Sequence, residues 1–294
     1  MDLLARLDRA AQRHAAGSDA LVHACAIARP SAGVGVEAQA ADCLTRMEGH
    51  LLRAGGSRRT LLLVVFYLCD LALKPQLNLE WGRWLGGDAL LPARAAVGVG
   101  SLGRGVLLAA SAIALTIVSP PGAVPDPGPL PGPMRHGVEP GLFHLVTQSG
   151  TRLIVSGISA EMELGDAMMP RSGECARLPG ASWAVLVSRM PRCVPDPLTQ
   201  TAAILRTVGR ALRTAADAPP SACREATVYL TEAAAGAAAA ITKLLGEWAP
   251  GCAVTLVDVT DLGPDTHVEV LVSAELPTRG RGGRLRLRSI PAAL

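Results

Sequence analysis

GVLLAASAIALTIV at residues 105–118 is followed directly by SPPGAVPDPGPLPGPMRHGVEPG at residues 119–141. An apolar run that ends at a pair of prolines predicts a buried helix, because proline lacks the backbone donor and disfavours helical geometry in the residue before it. The eight prolines within residues 120–140 favour an extended, semi-rigid polyproline II segment. We therefore expect a boundary here between two structural parts.

The hydrophobic pattern before this boundary is helical. Apolar residues recur at helical spacing and predict helices over residues 2–16, 18–27, 37–53 and 60–73. The last of these is apolar nearly all round, which is typical of a helix in the middle of a bundle. We expect three parts: a helical domain over residues 1–118, a proline-rich linker over residues 119–141, and an α+β domain over residues 142–294.

After the boundary the apolar period changes from about 3.6 residues to about 2. This change predicts a hairpin with strands at residues 142–148 and 151–159, joined by Ser149-Gly150. The other predicted elements are helices at 198–216 and 221–248 and strands at 181–189, 253–260, 267–276 and 284–290. Strands 253–260 and 267–276 should pair as a second hairpin. The expected fold class is α+β, with an N-terminal helical bundle, a proline-rich linker, and a C-terminal antiparallel sheet with two helices packed on one face.

The composition gives no evidence for a charged partner, a disulfide framework or a zinc site. Lys and Arg number 28 against 25 Asp and Glu, and a net charge of +3 indicates no electrostatic partner by itself. Arg outnumbers Lys 26 to 2, a bias typical of GC-rich coding, so arginine enrichment alone does not indicate a site. Seven scattered cysteines without a C-x-x-C pair predict neither a disulfide framework nor a zinc site. The N-terminus lacks the pattern of a secretory signal, and we expect an intracellular protein of the cytoplasm or nucleus.

A glycine motif precedes the apolar run. GVGSLG has the G-x-G-x-x-G spacing of dinucleotide-binding loops, with glycines at Gly98, Gly100 and Gly103. Such glycines permit a tight turn and let backbone donors approach a pyrophosphate at a helix N-terminus. Only three strand-like residues precede the motif, and no acidic residue follows at the ribose-binding position. The preferred interpretation is a glycine hinge before a buried helix, and a nucleotide-binding enzyme is kept as an alternative.

The apolar run also has a membrane interpretation. Its 14 residues, 105–118, are bounded by Arg104 and by the prolines. A helix that crosses a bilayer needs about 20 apolar residues, so the run is too short to span. A peripheral membrane-associated protein that uses residues 105–118 is the second alternative.

The sequence presents no convergent set of catalytic groups. Its six histidines lie apart from any serine elbow or cysteine signature, and no catalytic residue, cofactor or metal ligand is assigned. Two candidate contact surfaces stand out: Trp81 and Trp84 three residues apart, and an arginine strand made of Arg284, Arg286 and Arg288. We therefore predict a non-enzymatic interaction or assembly protein, a subunit or adaptor that contacts protein partners in a homo- or hetero-oligomer. Binding of nucleic acid is an alternative for the arginine strand.

Overall fold

The computed structural model describes residues 21–85, 91–116, 134–139, 143–149, 151–159 and 196–276. Over these residues the chain forms two β-sheets that face each other, and helices pack on the outer side of each sheet. The protein is therefore of the α+β class, as the sequence predicts.

Four strands form the first sheet, and two helices cover it. In chain order these elements are β1 (Leu21–Ile27), α1 (Val36–Arg53), β2 (Leu61–Leu68), α2 (Lys74–Leu85), β3 (Ala93–Gly98) and β4 (Leu108–Leu115). The strand order across the sheet is β1-β4-β2-β3. Strands β2 and β3 are parallel, and the other neighbours are antiparallel. Strand β3 is consequently an edge strand of this sheet within the described residues.

The second sheet has six strands and again two helices. Its elements are β5 (Met134–Glu139), β6 (Phe143–Ser149), β7 (Arg152–Ser159), α3 (Pro197–Ala216), β8 (Cys223–Leu230), α4 (Ala238–Trp248), β9 (Ala253–Asp258) and β10 (Val268–Glu275). The strand order is β5-β6-β7-β10-β8-β9. Strands β8 and β9 are parallel and the other neighbours are antiparallel, so the sheet is mixed. The prediction of a purely antiparallel sheet is therefore wrong.

The two sheets contain the same motif twice. The first repeat, β1-α1-β2-α2-β3-β4, has the element order, strand order and strand directions of the second repeat, β7-α3-β8-α4-β9-β10. Strands β9 and β10 begin 160 residues after β3 and β4, as the pairs Ala93 and Ala253 and Leu108 and Val268 show. The hairpin of β5 and β6 extends the second sheet beyond the repeated motif.

A buried glutamine performs the same task in each repeat. Gln39 in α1 donates to the carbonyl of Gly105 at 2.8 Å and accepts from the backbone of Leu107 at 2.9 Å. Gln200 in α3 donates to the carbonyl of Asp265 and accepts from the backbone of His267, both at 2.8 Å. The acceptor and donor positions again differ by 160 residues. Each glutamine satisfies backbone groups of the loop before the last strand of its repeat.

The inner faces of the two sheets form one apolar cluster. It includes Val65 on β2, Ala95 on β3, Ile113 on β4, Ile154 on β7 and Leu271 on β10. Strand β3 lies against β6 and β7 of the opposite sheet. Because helices cover the outer faces, the central strands are buried on both sides.

This double burial explains why the predicted N-terminal helical bundle is not observed. Strand β2 lies within the predicted helix 60–73, β4 lies within the predicted buried helix 105–118, and β1 lies within the predicted helix 18–27. A strand that is covered on both faces shows an unbroken apolar run instead of alternation, and periodicity alone cannot separate it from a buried helix. The proposed core helix at residues 105–118 is therefore a core strand.

Some of the other predicted elements are confirmed by the structure, and others are wrong. The helices at 37–53 and 198–216 are confirmed as α1 and α3, and the hairpin around Ser149-Gly150 is confirmed as β6 and β7. The predicted helix 221–248 is wrong in its first part, which forms β8 before α4 begins. The second predicted hairpin is also wrong, because β8 lies between β9 and β10.

Some sequence predictions fall on residues outside the described part. These are the helix 2–16, the strands 181–189 and 284–290, and residues 119–133 and 140–141 of the predicted linker, whereas residues 134–139 of that linker form β5. The domain boundaries stay a prediction. None of the helices in the described residues is both long enough and apolar enough to cross a membrane.

Candidate functional site

Charged side chains lie in the otherwise apolar interior near the edge strand β3. Arg94 on β3 is 4% exposed and Glu269 on β10 is 8% exposed. Burial of ionisable groups is unfavourable unless other interactions compensate for the lost hydration. Such groups are therefore candidates for a binding or catalytic site.

Glu269 projects from β10 toward the opposite sheet. Its carboxyl group lies against Gly157 of β7, where a Cβ atom would overlap Oε1 and would be 2.9 Å from the Cβ of Ala95. A side chain at position 157 would displace the carboxyl group of Glu269 and crowd the Cβ of Ala95. Among the described residues, the buried Oε1 atom has no hydrogen-bond partner.

Burial has the largest effect on the pKa of this carboxyl group. Desolvation raises the pKa of Glu269 to about 7, while the positive charges of Lys74 and Arg94 act in the opposite direction. At neutral pH the neutral and ionised forms are consequently both populated. A carboxyl group in this state can donate or accept a proton under physiological conditions.

The backbone of Arg94 contacts the second sheet, whereas its side chain lies on the face of the first sheet that α2 covers. Its backbone N–H donates to Oγ of Ser156 on β7 at 2.9 Å, which satisfies an outward-facing donor of the edge strand. Its Nη2 atom donates to Oδ1 of Asn78 in α2 at 2.7 Å. The guanidinium group lies 5.0 Å from the ring centre of Phe66 and 5.7 Å from that of Trp81. These contacts fix a permanent positive charge in a protected place.

Two tyrosines at equivalent positions of the repeats are the other polar residues described near Glu269. Tyr67 on β2 and Tyr229 on β8 are each the seventh residue of their strand. The hydroxyl of Tyr67 is 3.1 Å from Oγ of Ser111. Burial, followed by the proximity of Tyr67 and Glu269, raises the pKa of Tyr229 well above its usual value. Tyr229 is therefore a neutral hydroxyl group close to Glu269 at physiological pH.

The charged pair occurs in only one of the two equivalent places. The residue 160 positions after Arg94 is Val254, and the residue 160 positions before Glu269 is Ala109. Both replacements are apolar. The described residues therefore contain this pair of buried charged residues once, with Arg94 on the helix-covered face of the first sheet and Glu269 between the sheets, and we call the pair the Arg94–Glu269 site.

The predicted tryptophan surface has a different role. Trp81 is fully buried, with its ring centre 5.3 Å from that of Phe66 in an edge-on arrangement and stacked on Trp84 at 5.3 Å. It is therefore a core residue that supports Arg94, and it does not present a surface to a partner. Trp84 is half-buried, and its Nε1 donates to Oε2 of Glu48 at 3.2 Å. The predicted contacts Arg284, Arg286 and Arg288 lie outside the described residues.

The glycine motif joins the two repeats and is not followed by a helix. Gly98 ends β3, its N–H donates to the carbonyl of Asp261 at 2.8 Å, and a Cβ atom there would lie 2.8 Å from the Cβ of Asp261. Gly100 has a φ of +73° and a built Cβ 2.9 Å from Thr260. Because β4 follows Gly103, no helix N-terminus is available for a pyrophosphate at this loop. The structural basis of the nucleotide-binding alternative is therefore wrong.

The membrane alternative depends on a segment that is inside the fold. Residues 108–114 are buried between β1 and β2, with helices on one side and the second sheet on the other. This part of the apolar run is therefore not available to a lipid surface. Among the described residues, no group of three or more His, Cys, Asp or Glu is placed to hold a metal ion.

Neither Arg94 nor Glu269 is among the site residues that the sequence predicts. Arg94 was one of 26 arginines in a composition that discourages functional interpretation of any single one. Glu269 lies in the predicted strand 267–276, and the sequence analysis assigns it no role. The available signal was a single acidic residue inside VEVLV, a run of apolar residues that is typical of a strand buried on both faces.

Neither a protein-family model nor a curated protein matches the sequence. Solved structures do match the fold: a chorismatase is 14% identical, with 87% of this chain and 75% of that protein covered and a TM-score of 0.57. A member of the YjgF/YER057c/UK114 family from Mycobacterium tuberculosis is 22% identical, with 34% and 82% covered and a TM-score of 0.31. A YjgF-family protein from Neisseria meningitidis is 17% identical, with 50% and 97% covered and a TM-score of 0.33. The likeness to the chorismatase shows a shared fold.

Proposed function

We propose that this protein is an enzyme that binds a small carboxylate at the Arg94–Glu269 site and transfers a proton to or from it. The observation that carries the proposal is the buried Oε1 atom of Glu269, which has no hydrogen-bond partner among the described residues. A buried polar atom without a partner is unfavourable, and a bound ligand that supplies the partner removes this penalty.

The two charged groups have complementary roles in the proposal. Arg94 supplies a permanent positive charge for the carboxylate of the ligand. Neutral Glu269 donates a hydrogen bond or its proton to the ligand, and the resulting carboxylate is stabilised by the positive charges of Arg94 and Lys74. Solvent water then returns the proton. The sequence predicts a non-enzymatic role, and no observation tests that prediction. We propose an enzymatic function in its place.

The binding experiment uses acetate, butyrate and benzoate as probes in calorimetry between pH 5.5 and pH 8.5. Because the bound carboxylate favours neutral Glu269, affinity should fall about tenfold per pH unit above pH 7. Glu269→Gln mimics the neutral acid and should bind the probe with little dependence on pH. Arg94→Lys should weaken binding at least tenfold, whereas Arg213→Lys on the exposed side of α3 should have no effect. Absence of binding by all three probes, or unchanged affinity in Arg94→Lys, would contradict the proposal.

A second candidate function is assembly with a protein partner through β1. Strand β7 is buried on both faces, but within the described residues its equivalent β1 is covered on one face only. On the open face Cys25 is exposed and Ile27 is 39% exposed. The edge of a sheet with apolar side chains favours contact with another chain.

The assembly proposal is tested by sedimentation of the purified protein over a range of concentrations. Association should be concentration-dependent and should be lost in Ile27→Glu. The control is Leu198→Glu, a change at a similarly exposed apolar residue of α3. A monomer at all concentrations, or equal association of both variants, would count against self-assembly through β1.

A further inference from the structure

The two repeats contact each other through unlike surfaces. The edge strand β3 of the first repeat lies against β6 and β7 of the second repeat. The backbone N–H of Arg94 donates to Oγ of Ser156 at 2.9 Å, and the Cβ of Ala95 lies 2.9 Å from a Cβ atom built at Gly157. The equivalent contact would join β9 to β1, and the described residues show no comparable packing of these two strands. The contact between the repeats is therefore head-to-tail.

The burial of the four strands reflects this one-sided contact. All six residues of β3 are buried, whereas in β9 only Val257 is buried. The six central residues of β7 are buried, whereas Cys25 and Ile27 on the inner face of β1 are exposed. Within the described residues, β1 and β9 thus leave open the two surfaces that their equivalents bury against each other. Open sheet surfaces of this kind favour contact with another chain.

The strand registers show which residues of β1 and β7 are equivalent. Cys25 of β1 lies opposite Ser111 of β4, and the residue 160 positions after Ser111 is Leu271 of β10. Leu271 lies at the register shift between β10 and β7, opposite Ser156 and Gly157. Cys25 is therefore the equivalent of the two residues of β7 that contact β3.

Strand β9 carries the groups that a contact of the same kind needs. The residues 160 positions after Arg94 and Ala95 are Val254 and Thr255. Thr255 is half-buried and has a small side chain at the position of Ala95. Val254 has a backbone N–H at the position from which Arg94 donates to the other repeat. If β9 were placed on β1 in this way, Thr255 would lie beside Cys25.

We infer that β9 of one copy of this chain packs on the open face of β1 of a second copy, as β3 packs on β7 within one copy. The inference rests on the proposed assembly through β1, and it names the partner surface of that assembly. Because each copy contributes a different surface, the contact repeats from copy to copy until it closes a ring or extends into an open chain.

The test is disulfide formation between two copies that each supply one cysteine of the pair. A disulfide needs Cβ atoms about 3.5 to 4.5 Å apart, which the predicted position of Thr255 beside Cys25 allows. The unmodified protein, which has Cys25, is mixed with the double variant Cys25→Ser, Thr255→Cys. Diamide is then added, which accepts the two electrons and two protons of the thiols. Mass spectrometry should identify a peptide that links position 25 of one copy to position 255 of the other.

Two controls show whether the link depends on the predicted position. The double variant Cys25→Ser, Lys243→Cys places the new thiol on the exposed side of α4, where it is more accessible than at position 255. It should give about tenfold less cross-linked protein with the unmodified chain, because a disulfide forms only at the required separation. Ile27→Glu in the unmodified chain should reduce the link between positions 25 and 255 to the same low level.

The outcomes separate the inference from the assembly proposal. If sedimentation shows association that Ile27→Glu abolishes, but no link forms between positions 25 and 255, the inference is overturned while assembly through β1 stands. A disulfide between Cys25 of two unmodified copies would indicate a symmetric contact of β1 with β1, and it would also overturn the inference. If the protein is a monomer at all concentrations, the assembly proposal fails and the inference fails with it.

Discussion

Replacement of Glu269 by Gln should make the protein more stable at alkaline pH and should remove a pH dependence of its unfolding. The raised pKa of Glu269 means that the folded protein binds this proton more tightly than the unfolded chain does. The contribution of Glu269 to the free energy of unfolding is fully present below pH 4.5, the ordinary pKa of the carboxyl group. It is lost as the pH rises through about 7. Glutamine has nearly the same shape and does not ionise.

The expected magnitude follows from the two pKa values. A rise from 4.5 to about 7 corresponds to a loss of about 3 kcal/mol in the free energy of unfolding between acidic and alkaline pH. The largest slope is about 1.4 kcal/mol per pH unit, for one proton. Because Glu269 is almost completely buried, solvent screening reduces this value little. The difference between the unmodified protein and Glu269→Gln should therefore grow by about 3 kcal/mol between pH 4.5 and pH 8.

The assay is urea unfolding followed by tryptophan fluorescence at half-unit steps from pH 4.5 to pH 8.5. Subtraction of the two curves cancels the titration of all other groups that the proteins share. Glu232→Gln, a change at an exposed carboxylate, is the control and should give a curve parallel to that of the unmodified protein. Parallel curves for Glu269→Gln as well would refute the reasoning, because they would mean that Glu269 has the same pKa in the folded and unfolded states.

The remaining predictions concern packing and are checked by the same unfolding assay at pH 7. Trp81→Ala should cost about 3 to 5 kcal/mol because it leaves a cavity beside Arg94, whereas Trp84→Ala should cost less since that ring is half-buried. Gly98→Ala should destabilise by about 1 to 3 kcal/mol, because the new Cβ would lie 2.8 Å from that of Asp261. Gly82→Ala, in an open position of α2, should stabilise by about 1 kcal/mol. Equal effects at the two glycines would contradict the close approach of the repeats at Gly98.

The parts of the fold that the sequence predicts well are those with one buried face. Helices α1 and α3 each have an apolar face toward a sheet and a polar face toward solvent, so their period of about 3.6 is visible in the sequence. Strands β2 and β4 have no polar face. Their burial depends on a second sheet that is distant in the sequence, and this contact leaves no local periodic signal.

The candidate site was not predicted for a related reason. Arg94 and Glu269 are far apart in the sequence, and neither belongs to a short motif. The contact of β3 with β7 and the neighbouring position of β10 bring the strands that carry these two residues to the same region of the fold. Recognition of the repeat at the sequence level would have aligned Arg94 with Val254 and Glu269 with Ala109. That comparison identifies both residues as exceptions in otherwise similar apolar strands.

The repeats provide an internal comparison that bears on function. The same fold tolerates Val254 at the position of Arg94 and Ala109 at the position of Glu269, so this architecture does not require a charge at either place. Apolar replacements for buried charges are often neutral or stabilising, because the desolvation of the charges is avoided. Both charged residues are nevertheless present in one location of the described repeats, where Oε1 of Glu269 has no hydrogen-bond partner among the described residues. The anionic ligand that we propose would supply an interaction for this oxygen and would account for the presence of both residues.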